Sequence, residues 1–305
     1  MIISLHTFLF IAITTLSILL SFLFGYPNTD IINFLCFIFI ITIGASHGAF
    51  DKSKGKKILN HFKIESTFVF YFLYISTIFT IILSWVYIPQ ILTFLFLLIS
   101  VYHFGGEDLD YYLSYKSNFA ENILRGIIVL LTPLLIKTEL TLYLFDLVGL
   151  SFPLYSFEFI QSYYYLLTSL LLFSILYFTY KINFLNMKLL FIAESSMIFM
   201  SFIYFSPFVA FTLYFCFLHS PRHYYNSIKD LKKNLDYSSI NQINKDIISL
   251  TLATISMFIA SFIFLYYRYP LNESIYIASI IGLASLTFPH IIVELIDDKI
   301  KQRTL

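Results

Sequence analysis

The chain has 305 residues, of which 59% are hydrophobic and 12% charged, at a mean hydropathy of +0.81. Soluble globular domains carry about 25% charged residues, so an ordinary soluble fold is excluded, and 36 Phe and 24 Tyr against 9 Gly and 8 Pro exclude a disordered or fibrous one. A net charge of +1 offers no broad basic face, so no nucleic-acid partner is expected.

A helix needs about 20 apolar residues to cross a bilayer. Ten stretches approach that length, predicting an all-α bundle of about ten transmembrane helices in one integral membrane domain over 1–305. They lie near 4–24, 30–48, 66–86, 89–106, 122–137, 160–180, 188–205, 207–224, 246–267 and 274–296. The first lacks a basic n-region and a small-x-small cleavage site, so it reads as a span and not a signal peptide. Between the fifth and sixth, 138–152 suits either an outer interfacial segment or a plain loop, and the longest linker is the basic stretch 225–245.

Positive charge accumulates in cytoplasmic segments. With a cytoplasmic N-terminus, all of the 19 Lys and Arg except Lys137 and Arg268 fall inside, including the clusters Lys52–Lys57 and Lys229–Lys245. Both termini are therefore expected in the cytoplasm, as in a multi-pass protein of the cell (inner) membrane.

Five of the seven histidines share one kind of position. His47 ends the second span, His103 the fourth, and His219 and His223 the eighth, and His290 sits in the last turns of the tenth. All these spans run from outside to inside, so the five imidazoles are expected at one depth, where helices distant in sequence can build a metal site. Imidazole suits iron, zinc, copper or nickel, and the i, i+4 pair His219/His223 lies on one helix face. Pro221 between them removes a backbone hydrogen bond. Cys36 and Cys216, both inside apolar runs, suit neither a disulfide nor a zinc site.

An acid follows three of these histidines at i+4: Asp51 after His47, Glu107 after His103 and Glu294 after His290. Metal-bound histidines usually give their second N–H to a carboxylate or carbonyl, so these acids are candidates to orient the ligating rings; pairing with Arg125 or Arg222 is the alternative. Glu194, inside the seventh span, either supports the site or pairs with Lys188.

Taken together, Gly44 to Asp51, Tyr102 to Asp108, His219-Ser-Pro-Arg-His223 and Pro289-His290 resemble the Brp/Blh family of membrane β-carotene dioxygenases, in order and approximate spacing from residue 30 to 296. His-Ser-Pro-Arg-His is the specific part. One departure is Ala45-Ser46, where the family often has a Pro. The resemblance implies four ligands to Fe(II), carried over to His47, His103, His219 and His223. It leaves His290 either behind a ligand or on the substrate side.

The implied reaction is O2-dependent cleavage of the central 15,15′ double bond of β-carotene to two retinals. β-Carotene and O2 are then the substrates, the lipid bilayer the medium, and a retinal-binding rhodopsin a plausible recipient. The alternative is a non-enzymatic carotenoid or retinal carrier or assembly factor. A di-iron desaturase-type site is excluded, because its boxes need about eight histidines and only one His-x3-His is present.

Overall fold

A computed structural model describes residues 5–44, 48, 50–151, 157–232 and 237–304, without the side chains of 157–159, 229–247, 249 and 301–304. All regular secondary structure among the described residues is helical, with no strand. In chain order the helices are α1 Leu5–Phe24, α2 Thr29–Phe39, α3 Asp51–His61, α4 Thr67–Tyr87, α5 Pro89–Tyr112, α6 Phe119–Ile136 and α7 Thr138–Leu147. They continue with α8 Phe157–Ser162, α9 Tyr164–Lys181, α10 Leu185–Tyr204, α11 Pro207–Tyr214, α12 Ser220–Lys232, α13 Tyr237–Tyr266 and α14 Leu271–Thr304. Two wider π turns interrupt the pattern, Ile40–Gly44 after α2 and Phe215–His219 between α11 and α12.

Among the described residues six helices are long and apolar enough to cross a membrane: α1, α4, α5, α6, α10 and the part of α14 from Leu271 to Ile300. These match the first, third, fourth, fifth, seventh and tenth expected spans. The second and eighth are broken by the π turns. The sixth is split between α8 and α9, and the apolar part of the ninth is the shorter stretch Leu250–Tyr266. Large apolar side chains such as Phe22, Phe68, Leu83 and Leu176 are exposed on the outside of α1, α4 and α9, more apolar surface than a water-soluble monomer presents.

Two expected connections are helical instead. Segment 138–152 contains α7, and the linker 225–245 is largely taken up by α12 and the start of α13. A helix satisfies its own backbone hydrogen bonds, so nothing forces it to end where the apolar run ends.

α14 is the axial element, packing on α2, α3, α4, α5, α7 and α13. Beside it, α5 and α6 approach each other closely through Gly105 and Gly126. A Cβ on Gly105 would collide with the Asn122 carbonyl, and one on Gly126 with that of Val101. α6 starts at a capping box in which Asn118 Oδ1 accepts from Glu121 N–H at 2.9 Å and the Glu121 carboxylate accepts from Asn118 N–H at 3.1 Å.

Candidate metal centre

The π turn Phe215–His219 is the local device that aims the histidine pair. Ser220 N–H bonds back to the Phe215 carbonyl, five residues earlier, and α12 then begins at Ser220. Pro221 therefore stands in the first turn of a new helix, where its missing N–H costs nothing. Immediately before it stands a widened turn, a form often found at functional sites. The first π turn packs against the second, with Gly44 beneath the Phe215 ring; a Cβ there would come within 2.5 Å of Phe215 Cε1.

Four histidine rings converge at the end of the bundle that this turn faces. His103 lies 5.2 Å from His219, 6.0 Å from His223 and 5.1 Å from His290, centroid to centroid, and His223 and His290 are 5.1 Å apart. All four are buried. His47 lies outside the described residues, but its neighbours Phe50 and Asp51 are buried, and Asp51 reaches the cluster.

The acids reach histidines on other helices. Asp51 Oδ1 accepts from His290 Nδ1 at 2.8 Å, and its other oxygen accepts from Tyr74 Oη–H at 2.8 Å. A carboxylate can only accept, so Nδ1 of His290 carries a proton, and in the neutral ring the lone pair is then on Nε2. Glu107 Oε1 lies 3.1 Å from His223 Nδ1 on another helix. Glu294 sits among three rings: Oε1 is 3.7 Å from His223 Nε2 and 3.9 Å from His290 Nε2, and Oε2 is 3.7 Å from His103 Nδ1. Lys54 of α3 closes an ion pair with Glu294. Burial pulls the Lys54 ammonium down, but Glu294, then Asp51, outweigh it and hold its pKa above the usual lysine range.

Two constellations of one ligand atom per residue, His103/His290/Glu294 and Glu107/His223/Glu294, are compact enough to hold a cation. His290, read from sequence as behind a ligand or on the substrate side, is as near its neighbours as any ring in the cluster. Its Asp51 bond on Nδ1 is the support a ligating imidazole usually has. Neutral imidazoles backed by carboxylates fit a borderline divalent ion such as Fe(II), and neither Cys36 nor Cys216 belongs to these constellations.

Beside the cluster lies a fully buried ion network. Arg222, between His219 and His223, donates to Asp108 Oδ1 and Glu194 Oε1, each at 2.6 Å. Arg125 pairs with Asp108 Oδ2 at 2.9 Å, and Thr7 Oγ1–H donates to Glu194 Oε1 at 2.7 Å. Glu194 therefore pairs with Arg222 rather than with Lys188. Sequence reasoning missed Asp108, hidden beside Glu107, and also Lys54 and Tyr74. Lys54 read only as a topology charge, and Tyr74 was one of 24 tyrosines.

The family model for β-carotene 15,15′-dioxygenase matches residues 38–297, which includes every residue of the cluster. The chain belongs to that family. A β-carotene 15,15′-dioxygenase from uncultured marine bacterium 66A03 is 27% identical over 278 residues, covering 86% of this chain and 92% of that protein. No solved structure matches.

Proposed function

We propose that this chain cleaves the central 15,15′ double bond of β-carotene with O2, giving two molecules of retinal at a non-haem Fe(II) centre. The observation that carries the reading is the convergence of His103, His219, His223 and His290, with carboxylates behind them, at one end of an apolar bundle of this family. His103, His219 and His223 hold the ion. His47 joins them on the family resemblance, and His290 on its position and its Asp51 bond. Bound Fe(II) would supply the one-electron chemistry that lets O2 react with a closed-shell polyene. One oxygen atom ends on each of the two central carbons as the bond between them breaks, so the reaction needs no external reductant.

The protein's own residues set the conditions for this. Asp51 and Glu107 fix the orientation of His290 and His223, and Lys54 neutralises Glu294 so that the pocket does not carry a surplus of negative charge. Phe104 packs edge-on to His219 at 4.7 Å and keeps water from that side. The whole chain is one integral domain that crosses the cell membrane about ten times with both termini cytoplasmic. Its substrate is taken from the bilayer, and retinal is released toward a rhodopsin-type acceptor.

The test is pigment analysis of β-carotene-producing cells. Aerobic expression is expected to bleach the orange colour and yield retinal, and Ala at His103, His219 or His223 is expected to abolish this. Unchanged carotene beside iron-loaded protein would refute the reading and favour the carrier role. An apocarotenal longer than retinal would reject central cleavage.

A further inference from the structure

Among the six spanning helices only α1 lies before residue 38, where the family match begins. Much of its surface is turned outward, with Leu5, Phe8, Leu16 and Phe22 exposed, and its buried residues are His6, Thr7, Phe10 and Thr14. Steps of three and four residues from Thr7 to Phe10 to Thr14 put them on one helix face. α1 packs on α10, on α11 and on the π turn Phe215–His219. Phe10 joins Tyr214, Phe215, Cys216 and Leu218 in one buried apolar cluster. Polar side chains inside a membrane bundle are costly and mark function by default, and α1 places two side by side, His6 and Thr7.

Both lead to Arg222, by separate routes. Thr7 Oγ1–H donates to Glu194 Oε1 at 2.7 Å, and the same oxygen accepts from Arg222 Nη2 at 2.6 Å. His6 stands edge-on to the Tyr111 ring at 4.8 Å, and the Arg222 guanidinium lies over that ring at 4.7 Å. A guanidinium is a rigid planar fork. With Nη1 on Asp108 and Nη2 on Glu194, its orientation is set by where those two carboxylates stand. Arg125 holds Asp108 from a second side, and Thr7 does the same for Glu194. Arg222 is three residues past His219 and one before His223, so a shift of its backbone moves both rings.

We propose that α1 supports the histidine cluster, and that Thr7 is the positioning residue through which it aligns His219 and His223. Without the Thr7 hydroxyl the Arg222–Glu194 pair survives, but the carboxylate can turn, and the π turn that carries His219 follows Arg222. This rests on the reading of the cluster as a metal centre.

Cobalt(II) is the probe, because its visible absorption reports ligand geometry and its binding is measured by chelator competition in micelles, without O2 or carotene. Changes one step behind a ligand cost about 10–100-fold in affinity, and Thr7 stands further back, so Thr7→Val is expected to weaken Co(II) about 3–10-fold and to shift its visible bands. Thr7→Ala is expected to do the same, and is read beside it so that a packing fault of the valine does not decide the result. Thr7→Ser keeps the donor to the carboxylate and is expected to stay within about twofold of the unsubstituted protein. Thr14 lies about two turns further along the same face, and its hydroxyl makes no hydrogen bond among the described residues. Thr14→Val is therefore expected to leave both affinity and spectrum unchanged. Unchanged affinity and spectrum in both Thr7→Val and Thr7→Ala would overturn the proposal. So would an equal loss in Thr14→Val or in Thr7→Ser, because the packing of α1 and not the hydroxyl would then be at work. Failure of the unsubstituted protein to bind Co(II) would refute the metal-centre reading, and the proposal with it.

Discussion

Arg222 gives the sharpest test of how the cluster is held. It is wholly buried with Glu194, Asp108 and Arg125, two cations against two anions. Its guanidinium also lies over the rings of Tyr111, at 4.7 Å, and Tyr112, at 5.4 Å. In Arg222→Met the stem is kept and the charge removed. Asp108 retains Arg125, but Glu194 keeps only the Thr7 hydroxyl among its close contacts to charge or donor groups outside Tyr112. Leaving one partner of a buried pair uncompensated costs about 3–5 kcal/mol, and this is the loss expected. Glu194→Gln alone removes one charged hydrogen bond, about 1.5–3 kcal/mol, because Arg222 still has Asp108. The double variant buries no unpaired anion, so it is expected to be more stable than the sum of the two by about 1–3 kcal/mol. Reversible denaturation in micelles, followed by circular dichroism, measures all three. A loss under about 1 kcal/mol for Arg222→Met, or strict additivity in the cycle, would show that the network does not anchor α12.

Iron content should track the ligands: purified protein is expected to bind about one iron per chain, and His219→Ala or His223→Ala to lose most of it in elemental analysis, whereas full iron in both would dismiss that pair. Asp51→Asn still offers oxygen to His290 but makes it less basic, so turnover is expected to fall about 10–100-fold with iron partly retained; unchanged kcat would show that Asp51 merely packs. Tyr74→Phe removes one of the two bonds that hold Asp51 and should produce a smaller fall than Asp51→Asn. Equal or larger losses would place the tyrosine nearer the chemistry than its 2.8 Å contact with Asp51 implies. Reporters fused after Lys57 or Leu305 are expected to read cytoplasmic and one near Ser151 external, and a mixed pattern would break the ten-span topology.

That the histidines would meet was legible in the chain because hydrophobic length and the bias of Lys and Arg are both one-dimensional signals. Together they put His103, His219, His223 and His290 at the same end of alternate spans, and those four rings do meet. Helix boundaries were less legible wherever polar helix continues beyond apolar helix, as in α12, α13 and the end of α14. The two π turns were not legible, because the stretches that lead into them, Ile31 to Ile41 and Pro207 to Leu218, are almost wholly apolar and carry no polar stripe against which an extra residue would register.

The pairing of acids with histidines shows where one-dimensional reasoning stops. An i, i+4 rule finds residues on one helix face, but a bundle site is closed by side chains that cross between helices. So Asp51 of α3 meets His290 of α14, Glu107 of α5 meets His223 of α12, and Glu294 faces rings from three helices. This crossing ties the site to the fold in a particular way. Each carboxylate that orients an imidazole also links two helices, so a change in helix packing is transmitted to ligand geometry. The same logic makes Arg222 more than a loop charge. By joining α12 to Asp108 of α5 and Glu194 of α10, it fixes the turn between His219 and His223 against the helix that carries His103.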